Sequence, residues 1–198
     1  QLHSISNSGI PNSTISFAYD SVGGTINRSI NGAANSVTRK FDALSRLVSD
    51  TSVLGEFKFE YADKPIKGTT RIANILFPNG VATRFKYDGS SGEERLQSIT
   101  NVSSNVISQF EYAYDKVGQI VKWQERCNGK NSNDFALSYD AAGQLIDAVS
   151  QTTEVSTPLK YHYEYDGASN RTLAQSGEFI EVSGYNSMNE LINIAKQN

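Results

Sequence analysis

Apolar and polar residues alternate with a period of two along most of this chain. Phe110, Tyr112 and Tyr114 share one face of a segment whose other face carries Glu111 and Ala113. The same pattern recurs in segments 15–19, 57–61, 135–139 and 161–165. This period, with aromatic and β-branched residues, predicts half-buried β-strands. The last tyrosine of each segment lies on the apolar face, so the strands share one parity.

An aromatic residue followed by Asp or Asn ends these predicted strands. The copies are Tyr19, Phe41, Tyr87, Tyr114, Tyr139, Tyr165 and Tyr185, with a degenerate copy at Tyr61. Their spacing of about 20 to 27 residues is typical of a repeat architecture. We predict one array of about eight hairpin units over residues 1–198, with residues 1–13 irregular.

The motif D-x-x-G follows the tyrosine in the clearest copies and predicts a tight turn. Asp can accept a hydrogen bond from the backbone N–H two residues on, and Gly tolerates positive φ, as in a type I turn with a glycine bulge. The predicted structural turn residues are Asp20, Gly23, Asp115, Gly118, Asp140, Gly143 and Asp166. Where Ser45, Ser169 and Asn189 replace Gly, we expect altered or mildly strained turns.

Apolar outgoing strands follow the turns, and helical periodicity is nearly absent. Only residues 187–197 fit a helix as well as a strand. We predict an all-β fold of about sixteen antiparallel strands arranged as tandem β-hairpin repeats. A sheet this long should twist into a curved or spiralling sheet, a partial shell with open edges.

Composition removes several classes of function. The net charge is −3 and no Lys/Arg cluster forms a phosphate-binding track, which predicts no nucleic-acid partner. No apolar run reaches the roughly 20 residues of a membrane span, so we expect no membrane insertion. The single cysteine, Cys127, excludes an internal disulfide.

Candidate chemistry is sparse. The repeated aspartates could be acids or calcium ligands, but turn capping explains them together. Segment 128–134 could be a calcium loop or a solvated hairpin loop, and Cys127 could be a nucleophile or a strand-end residue. Glu93 and Glu94 are adjacent, so they should face opposite ways and lie in solvent. Without a catalytic or metal-binding motif, we predict no enzyme activity, no cofactor and no metal.

A ladder of aromatic side chains leaves two interpretations open. Its members are Tyr112, Tyr114, Trp123, Tyr161, Tyr163 and Tyr165. They could form the packed face of a wall. They could instead stack on sugar rings, because tyrosine has an apolar ring and a polar tip.

Segments 110–120, 137–145 and 163–171 resemble the YD or RHS repeat, and the resemblance extends over residues 14–195. That family includes bacterial RHS toxins, shell components of insecticidal ABC toxin complexes, wall-associated proteins and teneurins. The resemblance implies a spiralling sheet that closes into a hollow shell around a C-terminal toxic or variable domain. It also implies a secreted or cell-surface bacterial location, with flanking repeats and a cargo domain as partners. The family's conserved core with its self-cleaving aspartates is not recognised here, so neither autoproteolysis nor toxicity is expected.

Three functions follow as hypotheses. The first is a structural wall segment of a shell that encloses cargo. The second is a carbohydrate- or cell-surface-binding module, which predicts tyrosines in solvent-facing grooves beside Asn, Asp or Arg. The third is adhesion or self-assembly through open sheet edges, which predicts concentration-dependent oligomers.

Overall fold

The computed structural model describes residues 2–6, 13–62, 68–88, 94–128, 130–150 and 158–197. These residues form seventeen β-strands and one short 3-10 helix, Ala33–Asn35. The strands are β1 (Ser4–Ser6), β2 (Thr14–Tyr19), β3 (Thr25–Ile30), β4 (Ser36–Phe41), β5 (Leu47–Ser52), β6 (Gly55–Tyr61), β7 (Ile72–Leu76), β8 (Ala82–Tyr87), β9 (Leu96–Val102), β10 (Val106–Tyr114), β11 (Ile120–Cys127), β12 (Lys130–Tyr139), β13 (Leu145–Ser150), β14 (Lys160–Tyr165), β15 (Arg171–Ser176), β16 (Phe179–Tyr185) and β17 (Leu191–Gln197). No helix among the described residues has the length and apolar character needed to cross a membrane.

The strands group into two compact units. Residues 1–95 and 99–105 form the first, and residues 96–98 and 106–198 form the second. In the first unit, β2 through β8 pair antiparallel in sequence order, and β1 pairs with β2. In the second, β10 through β17 pair in the same manner. The predicted all-β hairpin fold is therefore confirmed.

Two details differ from the sequence-based expectation or complete it. Residues 1–13 were expected to be irregular, but Ser4–Ser6 form β1, opposite Thr14–Ser16 of β2. An irregular assignment was natural because a three-residue strand is too short to show alternation. Residues 191–197, which fitted a helix or a strand, form β17 against β16.

A register shift occurs at the aromatic residue that ends seven of the incoming strands in the described part of the chain. Ala113 faces Lys122 and Tyr114 faces Ile120, so Val121 is the extra residue of a β-bulge. The same shift recurs at Tyr19, Phe41, Tyr61, Tyr139, Tyr165 and Tyr185. The bulge explains the apolar pairs that begin many outgoing strands, because two consecutive residues there oppose one aromatic residue.

Burial is shallow throughout the described residues. Phe135 and Ala148, both 8% exposed, are the buried apolar residues, and Ser49 and Ser150 are the buried polar ones. Each unit is thus held mainly by hydrogen-bonded strand pairing and by half-buried side chains on its faces.

Candidate functional site: the tyrosine–aspartate hairpin

One carboxylate oxygen closes each regular turn. Asp115 Oδ1 accepts hydrogen bonds from the backbone N–H groups of Val117 and Gln119, both at 2.9 Å. The same pair of bonds forms at Asp20, Asp42, Asp140, Asp166 and Asn186. The first bond was anticipated from the sequence. The second ties the turn to the residue that leads into the outgoing strand.

These hydrogen bonds favour the ionised carboxylate. The side chain and backbone N–H of Asn170 hold the pKa of Asp166 below its ordinary 3.8. The backbone N–H of Arg46 lowers the pKa of Asp42, and the Arg46 side chain adds to the effect through its 2.7 Å ion pair with that carboxylate. Asp42 and Asp166 therefore act as anionic acceptors.

The glycine position of the turn keeps one backbone conformation whatever residue occupies it. Gly23, Gly118 and Gly143 have φ of 93°, 94° and 82°. Ser45, Ser169 and Asn189 have φ of 60°, 68° and 61°, and their turns keep both bonds to the capping side chain. Of the two outcomes expected for these turns, altered or mildly strained, the cap bonding is unaltered, and the non-glycine residues lie in the left-handed region, where a side chain is mildly strained.

The repeat tyrosine joins its hairpin to the preceding one. Tyr139 donates its hydroxyl hydrogen to the carbonyl oxygen of Ile120 at 2.8 Å, and Tyr165 donates to Leu145 at 3.0 Å. Equivalent bonds run from Tyr19, Tyr61, Tyr87, Tyr114 and Tyr185. We call this contact the inter-repeat bond. Burial raises the pKa of Tyr139 above its usual 10.0, so the hydroxyl remains a donor at neutral pH.

The acceptor of the inter-repeat bond follows a rule. Ile120 lies opposite Tyr114 of the preceding hairpin, and Leu145 lies opposite Tyr139. Tyr61, Tyr87 and Tyr185 likewise reach the strand residue that faces the aromatic residue of the previous repeat. The alternation placed these tyrosines on the apolar face without showing this bond. The preference for Tyr over Phe at the repeat position was the signal that could have revealed it.

The structure divides the predicted aromatic ladder by role. Tyr114 and Tyr165 make inter-repeat bonds. Trp123 stacks on the buried Phe135 with ring centroids 5.5 Å apart, and Tyr112 lies opposite Trp123 on the next strand. Tyr161 contacts Phe135, with ring centroids 6.2 Å apart, and together with Tyr163 it lines a groove that also contains Arg171. The ladder is therefore part packing and part solvent-facing surface.

The remaining candidates assemble no reactive centre among the described residues. Cys127 is exposed, with Sγ 4.0 Å from Glu125 Oε1. Residues 130–134 belong to β12, so the expected polar loop at 128–134 was largely wrong. Glu94 was expected in solvent, but its side chain is only 11% exposed and forms an ion pair with Arg71. Glu93 and Asp63 lie outside the described residues. Within the described ranges, no group of three His, Cys, Asp or Glu side chains could hold a metal ion.

Serial hairpins, most of them capped by Asp or Asn and joined to the preceding hairpin by a tyrosine hydroxyl among the described residues, define a tandem β-hairpin-repeat protein. The Teneurin YD-shell family model matches residues 91–198, more than half of the chain. The chain belongs to this family, and the predicted YD/RHS resemblance is confirmed. No curated protein sequence gives a significant match.

Solved structures share the fold. The chain is similar to one in the crystal structure of TcdB2-TccC3-Cdc42, with a TM-score of 0.73 and 17% identity over 90% of this chain and 10% of that chain. The TcdB2-TccC3 structure without the hypervariable C-terminal region gives 0.71 and 16%, over 90% and 10%. The TcdB2-TccC3 structure gives 0.66 and 15%, over 91% and 12%. This chain thus spans about a tenth of the length of the chains that it matches, and the likeness shows the shared fold.

Proposed function

We propose that this chain is a structural wall segment of a YD-repeat shell that encloses cargo, such as a C-terminal toxin domain of the same or a partner chain. The observation that carries the proposal is the inter-repeat bond, which recurs at seven tyrosines. It ties each of these hairpins to the chain segment before it, and Phe41 marks a hairpin without the bond. A unit that depends on its predecessor in this manner is suited to extending a surface. Membership of the YD-shell family supports the same function.

The mechanism is geometric. Antiparallel pairing uses the backbone N–H and C=O groups in continuous ladders, which leaves few unpaired groups for solvent to reach within a unit. The cap spans four residues in the regular turns, as from Asp115 to Gln119, so the two strands of those hairpins stay adjacent. Polar cross-strand contacts add cohesion on the other face, as between Gln124 and Asp134 at 2.8 Å.

The proposal includes flanking repeats and cargo as partners and a secreted or cell-surface location. The family membership supports both. Catalysis is not part of the proposed function, because the recurring residues are used for turn capping and for inter-repeat bonding.

Limited proteolysis of the full natural polypeptide that contains these residues tests enclosure. A nonspecific protease is applied with and without mild denaturant, and the surviving segments are identified by mass spectrometry. We expect a non-repeat segment to survive in native conditions and to become sensitive when the wall opens. If every non-repeat segment is cut at once while the repeats persist, enclosure is wrong.

A matched pair of variants shows whether the wall itself gives the protection. Replacing Tyr114, Tyr139 and Tyr165 by Phe removes three inter-repeat bonds and keeps the rings. Replacing Tyr112, Tyr161 and Tyr163 by Phe removes three hydroxyls outside the repeat position. Protection should decrease in the first variant and persist in the second. Equal protection in both variants would show that inter-repeat bonding does not close the wall.

A further inference from the structure

Three Asn-Gly pairs occur in the chain, and they begin at Asn31, Asn79 and Asn128. Gly129 lies outside the described residues, so the structure describes the first two pairs. Such pairs are chemically labile, because glycine has no side chain to hinder its backbone nitrogen as that atom approaches the asparagine amide. The reaction also requires the side-chain carbonyl to lie near that nitrogen, and the two described pairs differ in this respect.

Asn79 lies at the tip of the hairpin between β7 and β8. Its Oδ1 accepts a hydrogen bond from the backbone N–H of Val81 at 3.1 Å. A bond to the residue two positions on folds an asparagine side chain back over its own backbone. This bond therefore places the amide carbon, Cγ, beside the Gly80 nitrogen. The Val81 N–H is also positioned to stabilise negative charge that develops on Oδ1.

The surroundings leave this peptide bond open to reaction. Asn79 and Gly80 are both exposed, and a Cβ added at Gly80 would meet nothing within 4 Å. The Gly80 N–H donates to the Phe77 carbonyl oxygen at 3.1 Å, so this hydrogen bond must open before the nitrogen can react. The base of the tip is held separately, because the Phe77 N–H donates to the Val81 carbonyl oxygen at 2.8 Å. The tip can thus open without separation of the strands.

The Asn31–Gly32 pair has the same two residues in a different arrangement. Asn31 Oδ1 accepts a hydrogen bond from the backbone N–H of Thr14 at 3.0 Å, and the Asn31 N–H donates to the Thr14 carbonyl oxygen at 2.8 Å. These bonds hold the side-chain carbonyl against β2 rather than against the backbone that follows Asn31. The pair therefore has the glycine but not the approach.

Two capped turns each lack one of the other requirements. Asn186 Oδ1 accepts from two backbone N–H groups, but Ser187 follows it instead of glycine. Asp166 has the same two turn bonds and is followed by Gly167, but its side chain is a carboxylic acid. Hydrogen bonds from Asn170 hold the pKa of Asp166 below 3.8, and an ionised carboxylate resists attack by a nucleophile.

We propose that Asn79 is a site of spontaneous deamidation, because it combines an amide, a following glycine and a carbonyl folded over the glycine nitrogen. The Gly80 nitrogen loses its proton to solvent and bonds to Asn79 Cγ. The bond from Cγ to Nδ2 breaks, and Nδ2 takes up a proton and leaves as ammonia. Water then opens the resulting succinimide ring at either carbonyl, which gives aspartate or isoaspartate at position 79.

The reaction changes both the charge and the backbone of this hairpin. Either product adds one negative charge, and isoaspartate also lengthens the backbone at the tip by one carbon atom. Water is the co-reactant, so the step requires no partner protein. The proposal does not depend on cargo enclosure, and either proposal can fail alone.

Native and unfolded samples of the 198-residue chain test the proposal. One sample is kept in neutral buffer and the other in concentrated urea. Tryptic peptides are then quantified by mass spectrometry, with electron-transfer fragmentation to separate isoaspartate from aspartate. In the native chain we expect Asn79 to convert at least about tenfold faster than Asn31 or Asn186, a difference in barrier of about 1.4 kcal/mol. In urea, Asn31 and Asn79 should convert at similar rates, because no fold positions either side chain.

A gain of reaction gives the sharper test. Asp166→Asn places an amide before Gly167 and keeps the two turn bonds, so it should create a second fast site. Asp140→Asn is the matched control, because the same two bonds form there but Ala141 follows, and it should remain slow. Circular dichroism verifies that both variants are folded.

Three results would overturn the assignment. If native Asn79 converted no faster than Asn31, the side-chain arrangement would not select the site. If Asn79 converted in urea but stayed intact in the native chain, the hairpin would protect the residue instead of exposing it. If Asp140→Asn converted as fast as Asp166→Asn, the following glycine would not be the requirement.

Discussion

Tyr114 donates its hydroxyl hydrogen to the carbonyl oxygen of Leu96 over 2.7 Å. Leu96 is the first residue of β9, which belongs to the preceding hairpin. Phenylalanine cannot make this contact, because it has no hydroxyl group to donate to the carbonyl oxygen. Hairpins that are only marginally stable alone are thereby joined in series.

Removing one inter-repeat bond should destabilise the chain. Tyr139→Phe keeps the ring but leaves the Ile120 carbonyl without its hydroxyl donor, so the free energy of unfolding should decrease by about 1 kcal/mol. Urea denaturation followed by circular dichroism measures the change. Tyr163→Phe, which loses a hydroxyl without a protein partner, should change stability by less than about 0.5 kcal/mol. Equal losses in the two variants would contradict a specific role for the bond.

Restoring a missing inter-repeat bond should stabilise the chain. Phe41 occupies the repeat position without a hydroxyl, and Thr25, opposite Tyr19, is the acceptor that the rule assigns to it. Phe41→Tyr should therefore raise the free energy of unfolding by about 1 kcal/mol. Phe59→Tyr adds a hydroxyl on β6 outside the repeat position and should give no such gain. A loss of stability in Phe41→Tyr would show that the rule does not extend to this hairpin.

The turn cap should tolerate Asn but not Ala. Asn186 accepts from Met188 and Glu190 at 2.9 and 3.0 Å, as Asp140 accepts from Ala142 and Gln144 at 2.9 and 2.8 Å. Asp140→Ala should cost about 1 to 2 kcal/mol of stability, and Asp140→Asn about 0.5 kcal/mol or less. Thermal unfolding compares the two variants. If they lose the same amount, the two backbone bonds are not the source of the stabilisation.

The fourth turn position should follow the glycine preference. Gly143 has φ of 82°, and an added Cβ would lie 3.0 Å from the side-chain Nε2 of Gln119. Gly143→Ala should therefore lower the free energy of unfolding by about 1 kcal/mol. Ser169→Gly should relieve the strain of φ at 68° and stabilise the turn by a few tenths of a kcal/mol. At Gly167 an added Cβ meets nothing within 4 Å, so Gly167→Ala is the control and should be neutral or slightly stabilising. The chemical denaturation midpoints of the three variants measure these changes in stability. A neutral Gly143→Ala would contradict the preference for glycine at the fourth turn position.

The hydrogen bonds that Asp166 accepts should contribute to acid sensitivity. Hydrogen bonds from the side chain and backbone of Asn170 hold the pKa of Asp166 below its ordinary 3.8 in the folded chain. The stability that they contribute is therefore present above that ordinary value and is lost as the pH falls through the lower, folded value. Carboxyl carbon chemical shifts, followed from pH 7 to pH 2, report the titration directly.

Two variants separate the causes of that titration. Asn170→Ala removes the side-chain donor, so the Asp166 midpoint should move up toward 3.8. Asp166→Asn keeps the two backbone bonds without a titrating group, as Asn186 does, and should reduce the acid-dependent loss of stability. If the Asp166 titration in the unmodified chain had its midpoint at or above pH 3.8, the hydrogen-bonded turn cap would be contradicted.

The sequence alone predicted the hairpins, their turns and the family, because these features are local. Alternation with a period of two reports which face of a strand is apolar, and the turn chemistry acts within five residues, as from Asp115 to Gln119. The same local information could not show the bulge opposite Tyr114. The apolar pair Ile120–Val121 reads equally well as part of a buried strand.

Only the tertiary structure decided the relations between hairpins. The carbonyl that each tyrosine reaches depends on the register of a strand 14 to 20 residues away. Strand register also places Phe179 across from Tyr161. Register is set by pairing and bulges accumulated over successive strands, and no single segment encodes it. The sequence by itself therefore determined what each repeat is, and the pairing of repeats determined which bonds and which groove they make together.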